Sequence, residues 1–126
     1  MTICALQYLI KQNIKFDNLI KISGRYYLSE NFDYNKFTND KIVIKYIENN
    51  KNNVLTSLYK LPYEYIVTFK IFLINNVYKM NNCIGYEVET VLFAEFIKKL
   101  KNTSINNHEI IGIAGFISVS TDFYNG

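Results

Sequence analysis

The chain has 126 residues, 14 Lys and Arg against 11 Asp and Glu, and a formal net charge of +3. That length supports one domain spanning 1–126 around one core, and a 49% hydrophobic, 16% aromatic composition excludes a disordered polyelectrolyte. The mild positive charge is too small to specify a nucleic-acid partner, and 5 glycines with 1 proline disfavour a turn-dense β-sandwich.

Arg25 is the one arginine, so cationic chemistry rests on lysine, which lacks the planar fork that grips phosphates and carboxylates two-handedly. Asn, Ile, Lys, Tyr and Phe dominate. All five have AT-rich codons, as expected of a low-GC organism, a virus or a mobile element. Cys4 and Cys83 make no disulfide framework and read as small buried hydrophobes in a reducing compartment. Met1 to Ile10 lacks the charged start and small-residue cleavage site of a secretory leader. The expected location is the cytoplasm of its own cell or of a host.

In chain order, Thr2 can cap a helix carrying Ile3, Leu6, Leu9 and Ile10 on one face. Phe16 to Ile22 repeats that pattern through Leu19 and Ile20, and Gly24 ends it as a residue free to take positive φ. Arg25 to Phe37 (RYYLSENFDYNKF) differs: its rings alternate with polar residues and follow neither structural period for long. Tyr26, Tyr27, Phe32, Tyr34 and Phe37 are the candidate partner-binding residues. Tyrosine supplies large contact area at low entropy cost. The same rings could stack on single-stranded nucleic acid beside Lys36, or fold back over the core.

Thr38-Asn39-Asp40 is a helix-start signal, and Lys41 to Ile47 fits a short helix or a strand. Glu48 to Asn53 (ENNKNN) reads as a solvated loop. Val54, Leu55, Leu58 and Leu61 then suggest a short amphipathic helix ending before Pro62. Leu61 to Tyr78 (LPYEYIVTFKIFLINNVY) is the longest apolar run. Proline suits a first helical position, and Tyr65, Ile66, Phe69, Leu73 and Val77 follow at helical steps, thickened by Ile71 and Phe72. The β-branched Ile66, Val67, Thr68 and Ile71 suit a strand instead. Lys70 and the short length argue against a membrane span.

Lys79 to Gly85 reads as a loop. Glu87 to Lys101 has acids in its first turn and lysines in its last, matching the helix macrodipole; Val88, Leu92, Phe93, Phe96, Ile97 and Leu100 face inward. Asn102 to Asn107 turns the chain. Ile110 to Tyr124 is apolar, and its Gly112 and Gly115 admit close approach of another backbone, within the fold or across a dimer seam.

Chemistry-bearing motifs are sparse. Cys4, Cys83 and His108 have no paired spacing for zinc, and a Cys83–His108 nucleophile pair rests on residue type alone. His108 is expected to be exposed near the start of a last helix. Glu87 and Glu89, two apart on a helix, point away from each other and serve as N-terminal charges. Gly112-Ile113-Ala114-Gly115 lacks the residues of a phosphate loop. No cofactor is implied.

The run HEIIGIAGFISVSTDF looks like the second helix-turn-helix of AraC-type regulators, with Ile110, Gly115, Phe116 and Ser120 at matching offsets. It departs at Ile111, Asp122 and Phe123, and carries no arginine to read guanine edges. The resemblance implies nucleic-acid binding through the C-terminal segment.

The expected fold is mainly α: a compact single-domain helical bundle of five to seven helices around a buried rod from Pro62 to Lys79. The alternative is α+β, with a small sheet from residues 41–47 and 64–74. The expected function is a non-enzymatic protein-interaction module that binds another protein or a second copy of itself, as a viral or mobile-element regulator or inhibitor would. Nucleic-acid binding is the alternative.

Overall fold

The computed structural model describes residues 2–76, 87–116 and 123–126. Helix α1 (Thr2–Lys11) leads into β1 (Asn18–Ile22) and β2 (Tyr26–Leu28), followed by a 3-10 turn at Tyr34–Phe37. Strands β3 (Ile42–Ile44), β4 (Tyr46–Ile47), β5 (Asn50–Val54) and β6 (Leu58–Pro62) come next, and a second 3-10 turn joins β6 to helix α2 (Ile66–Asn75). Helix α3 (Glu87–Lys98) precedes β7 (Ile105–Asn107), β8 (Ile113–Phe116) and β9 (Phe123–Asn125).

The described residues form an α+β fold with three sheets, not a helical bundle. The main sheet has the order β1-β6-β3-β7, antiparallel except for the parallel β3–β7 pair. A second antiparallel sheet runs β2-β8-β9, and β4-β5 is a hairpin.

Side chains alternate across the main sheet and divide the core in two. Leu19, Ile42, Ile44, Tyr59 and Leu61 join the core built with α1, α2 and α3. Ile20, Val43 and Leu58 meet a second core containing Phe37, Ile113, Tyr26 and Tyr124. The main sheet is therefore the middle layer, with helices on one face and the small sheet on the other. Aromatic contacts fill the helical side: Tyr59 lies 4.4 Å from Phe93, and Phe69 lies 4.8 Å from Phe96 between ring centroids.

This burial on both faces explains the largest correction. Every residue of β6 and of β3 is buried, so neither strand shows the polar alternation that marks a half-exposed strand. The helical spacing of Val54, Leu58 and Leu61 is accidental: Val54 ends β5, and Leu58 and Leu61 lie in β6 on opposite faces. The Phe16 to Ile22 segment likewise is not helical; it supplies β1, paired Leu19↔Leu61 and Lys21↔Tyr59.

Pro62 closes a strand instead of opening the rod. It sits opposite Asn18, and the Tyr63 N–H makes the next bond, to Asp17 O at 2.8 Å. The helix occupies only Ile66–Asn75, with Ile66, Phe69, Phe72 and Leu73 buried; Ile71 and Val67 are exposed. The α+β alternative is right to make 41–47 strand and wrong to do so for 64–74, which is mostly α2. Thr38-Asn39-Asp40 starts no helix; the Asn39 side chain accepts from the Lys41 N–H at 3.1 Å before β3.

The ENNKNN loop is largely a hairpin. Glu48 and Asn49 take φ of 54° and 57°, the two left-handed positions of a type I′ connection whose twist suits the strands. Gly24 has no positive φ, whereas Gly112 has φ 91°. Cys4 is exposed on α1 instead of buried. The helix expected over Glu87 to Lys101 forms as Glu87–Lys98, with Leu92, Phe93, Phe96 and Ile97 buried. The Lys79 to Gly85 loop, including Cys83, lies outside the described residues.

Candidate interaction surface

The five rings singled out in the sequence separate when the chain folds. Phe37 is 1% exposed in the second core, with the half-buried Phe32 ring 4.8 Å from it. Asp33 holds that segment, its carboxylate accepting from the Asn35 N–H at 3.0 Å to cap the 3-10 turn. Tyr26 points into the same core and meets Tyr124 edge-on at 6.4 Å. Tyr27 and Tyr34 are exposed, at 56% and 64%.

Strand alternation decides this division. Tyr26 pairs with Gly115, which pairs with Tyr124, and this row faces the core. Tyr27 pairs with Ala114, which is buried between its neighbours, and Ala114 pairs with Asn125; Phe123 pairs with Phe116 in a separate row on the same side of the sheet as Tyr27. The Tyr27 and Phe123 rings lie 6.5 Å apart, and Phe123 is 49% exposed. The exposed strand residues Tyr27, Asn125 and Phe123 carry no charge, and exposed Arg25 stands two residues before Tyr27 at the end of that side. Sequence reasoning missed Phe123. The signal is present in the alternation of Phe123, Tyr124 and Asn125, but the apolar run and the two glycines ahead of them dominate the sequence reading of this segment. Its described residues are strands β8 and β9 instead of a helix-turn-helix.

The two glycines of this segment admit close approach inside the fold. A methyl group on Gly115 would lie 2.6 Å from Arg25 O, so β8 can run directly under β2 only because position 115 has no side chain.

The titratable groups have structural surroundings. Lys60 is fully buried in the centre of the main sheet. Its ammonium donates to Asn39 O at 2.6 Å and Asn39 Oδ1 at 3.0 Å. Burial pushes its pKa below the usual lysine value, with nearby Asp40 opposing that shift. With two of its three N–H donors held by Asn39, the buried ammonium fixes the turn before β3.

His108 is half-buried beyond β7 instead of exposed at a helix start. Its backbone N–H donates to Ile44 O at 3.0 Å, and its buried Nε2 has no partner among the described residues. Burial and the charge of Lys36 lower its pKa, with Asp33 opposing. Among the described residues no three His, Cys, Asp or Glu side chains gather as a metal site would require, and no helix is long and apolar enough to cross a membrane. Set against protein-family models, characterised proteins and solved structures, the chain finds no match.

Proposed function

We propose that the chain is a non-enzymatic protein-interaction module whose contact surface is the outer face of the β2-β8-β9 sheet. The observation that carries this reading is the Tyr27–Phe123 pair, two large rings 6.5 Å apart and about half exposed on the β2-β8-β9 sheet. Adjacent exposed rings on a rigid sheet lose little conformational freedom on binding and make the anchors that dominate interface energies.

The uncharged strand positions Tyr27, Asn125 and Phe123, with Arg25 a single cation at the end of β2, favour a protein partner with an apolar surface over a nucleic acid. Stacking platforms for single strands need cations tracking the backbone beside the rings. The experiment compares wild type with Tyr27→Ser/Phe123→Ser as immobilised baits. A protein retained by wild type and lost from the double variant supports the module. Equal retention by both, or retention abolished by nuclease and by moderate salt, counts against it.

A further inference from the structure

The open edge of the main sheet is a second surface, independent of the Tyr27–Phe123 face. Strand β1 lies at the end of the order β1-β6-β3-β7, so one of its edges has no strand neighbour among the described residues. Two hydrogen bonds fix which backbone groups point that way. Tyr63 N–H donates to Asp17 O at 2.8 Å, and Ser23 N–H donates to Ser57 O at 2.9 Å. In an antiparallel ladder, bonds so placed bracket Asn18↔Pro62 and Ile22↔Leu58 and make both non-hydrogen-bonded pairs. Leu19 and Lys21 therefore bond to β6. The N–H and C=O of Asn18, Ile20 and Ile22 point to the open edge, with no partner among the described residues.

Edge strands are ordinarily protected by an outward lysine, a proline, a bulge or a covering element. Strand β1 contains no proline, and its pairing with β6 runs without a register shift. Its one charge, Lys21, is turned away from the edge: the ammonium donates to Ser23 Oγ at 2.7 Å and to Thr56 O, and lies over the Tyr59 ring.

We infer that this edge pairs antiparallel with β1 of a second copy, about a two-fold axis through Ile20. That register sets Ile20 against the partner subunit's Ile20 and Asn18 against the partner subunit's Ile22. Every outward N–H and C=O of these residues then meets its complement. Lys21 falls opposite the partner subunit's Leu19, so no like charges stand face to face. The two four-stranded sheets become one continuous sheet across the axis. A second copy is the occupant because in this register the edge is complementary to itself in hydrogen bonding and sets each Lys21 against an apolar residue instead of a like charge.

Sedimentation velocity of the chain from about 5 to 500 μM tests this, since self-association is concentration-dependent. Wild type should approach dimer mass, and the Ile20 amide should exchange more slowly as concentration rises. Ile22→Pro removes one outward N–H at an exposed position without touching the β1–β6 bonds, and Ile22→Lys places a charge on the edge. Each should weaken dimerisation at least about tenfold, with thermal unfolding nearly unchanged at concentrations where both proteins are monomeric. A wild type that stays monomeric overturns the inference, as does a dimer unaffected by both variants. A monomer that captures a foreign extended peptide along β1 also overturns it.

Discussion

Gly112 and Phe32 pack backbone to backbone: a methyl group added to Gly112 would lie 2.3 Å from the Phe32 Cα. Gly112 also has φ 91°, a conformation that costs an L-residue energy even in open space. Its carbonyl accepts from the Ser29 N–H at 2.9 Å, and its N–H donates to Gly126 O at 2.8 Å, so the residue joins the chain after β2 to the chain ahead of β8. Gly112→Ala should cost about 3 kcal/mol or more, combining a steric clash with left-handed strain. Gly24, with nothing near its Cα and no positive φ, should accept alanine within about 0.5 kcal/mol. Urea midpoints of the two variants make the comparison.

The division of rings between core and surface predicts opposite outcomes for neighbouring substitutions. Phe37→Ala empties a fully buried position beside Phe32 and should cost about 3–5 kcal/mol. Tyr27→Ala, on the solvent side of β2, should cost less than about 1 kcal/mol. Thermal unfolding of both variants checks this, and comparable losses would place Tyr27 in the core.

Lys60 holds the turn ahead of β3 through Asn39 O and Oδ1. Lys60→Ala removes both the donor and the buried aliphatic stem, and should cost about 3–5 kcal/mol. Lys60→Met keeps the stem, so it should recover part of that loss and leave only the penalty of Asn39 without its donor, about 1–3 kcal/mol. Urea midpoints should therefore rank wild type above Lys60→Met, and Lys60→Met above Lys60→Ala.

His108 should give the fold a dependence on acid. Its folded-state pKa lies below the ordinary value because of burial and the Lys36 charge, with Asp33 partly opposing. As pH falls below about 6.5, the unfolded chain takes up the proton first, so stability drops. The decline levels off once the folded His108 is also protonated. Replacing it as His108→Gln should flatten this component. The check is the difference in urea midpoint between wild type and variant at about pH 7.5 and about pH 5, which cancels titrations common to both.

What could be read from the sequence follows from how much polarity each element keeps. Helix α3 has acids at its start, lysines at its end and a polar strip between buried rings, so periodicity and charge agree. Helix α1 is legible from its apolar face, where Leu6 is buried with Ile3 and Ile10 packed beside it. Strands β3 and β6 are covered on both faces, which removes the alternation that would have revealed them and lets Leu58 and Leu61 imitate a helix. The β4-β5 hairpin hid because Glu48 and Asn49 turn in a left-handed conformation usually given to Asn-Gly or Gly. For the candidate surface, ring content names Tyr26, Tyr27, Phe32, Tyr34 and Phe37 alike and cannot separate exposed Tyr27 from Tyr26 in the core. Only the strand alternation does that, and it also brings in Phe123 from the far end of the chain.

The central claim is that the exposed Tyr27–Phe123 pair is a contact surface for an apolar protein partner. Quantitative mass spectrometry of proteins held by wild-type bait and by Tyr27→Ser/Phe123→Ser bait, at matched folding, tests it most directly. The account predicts at least one protein whose retention falls about tenfold or more in the double variant. Identical retention profiles for the two baits would contradict it.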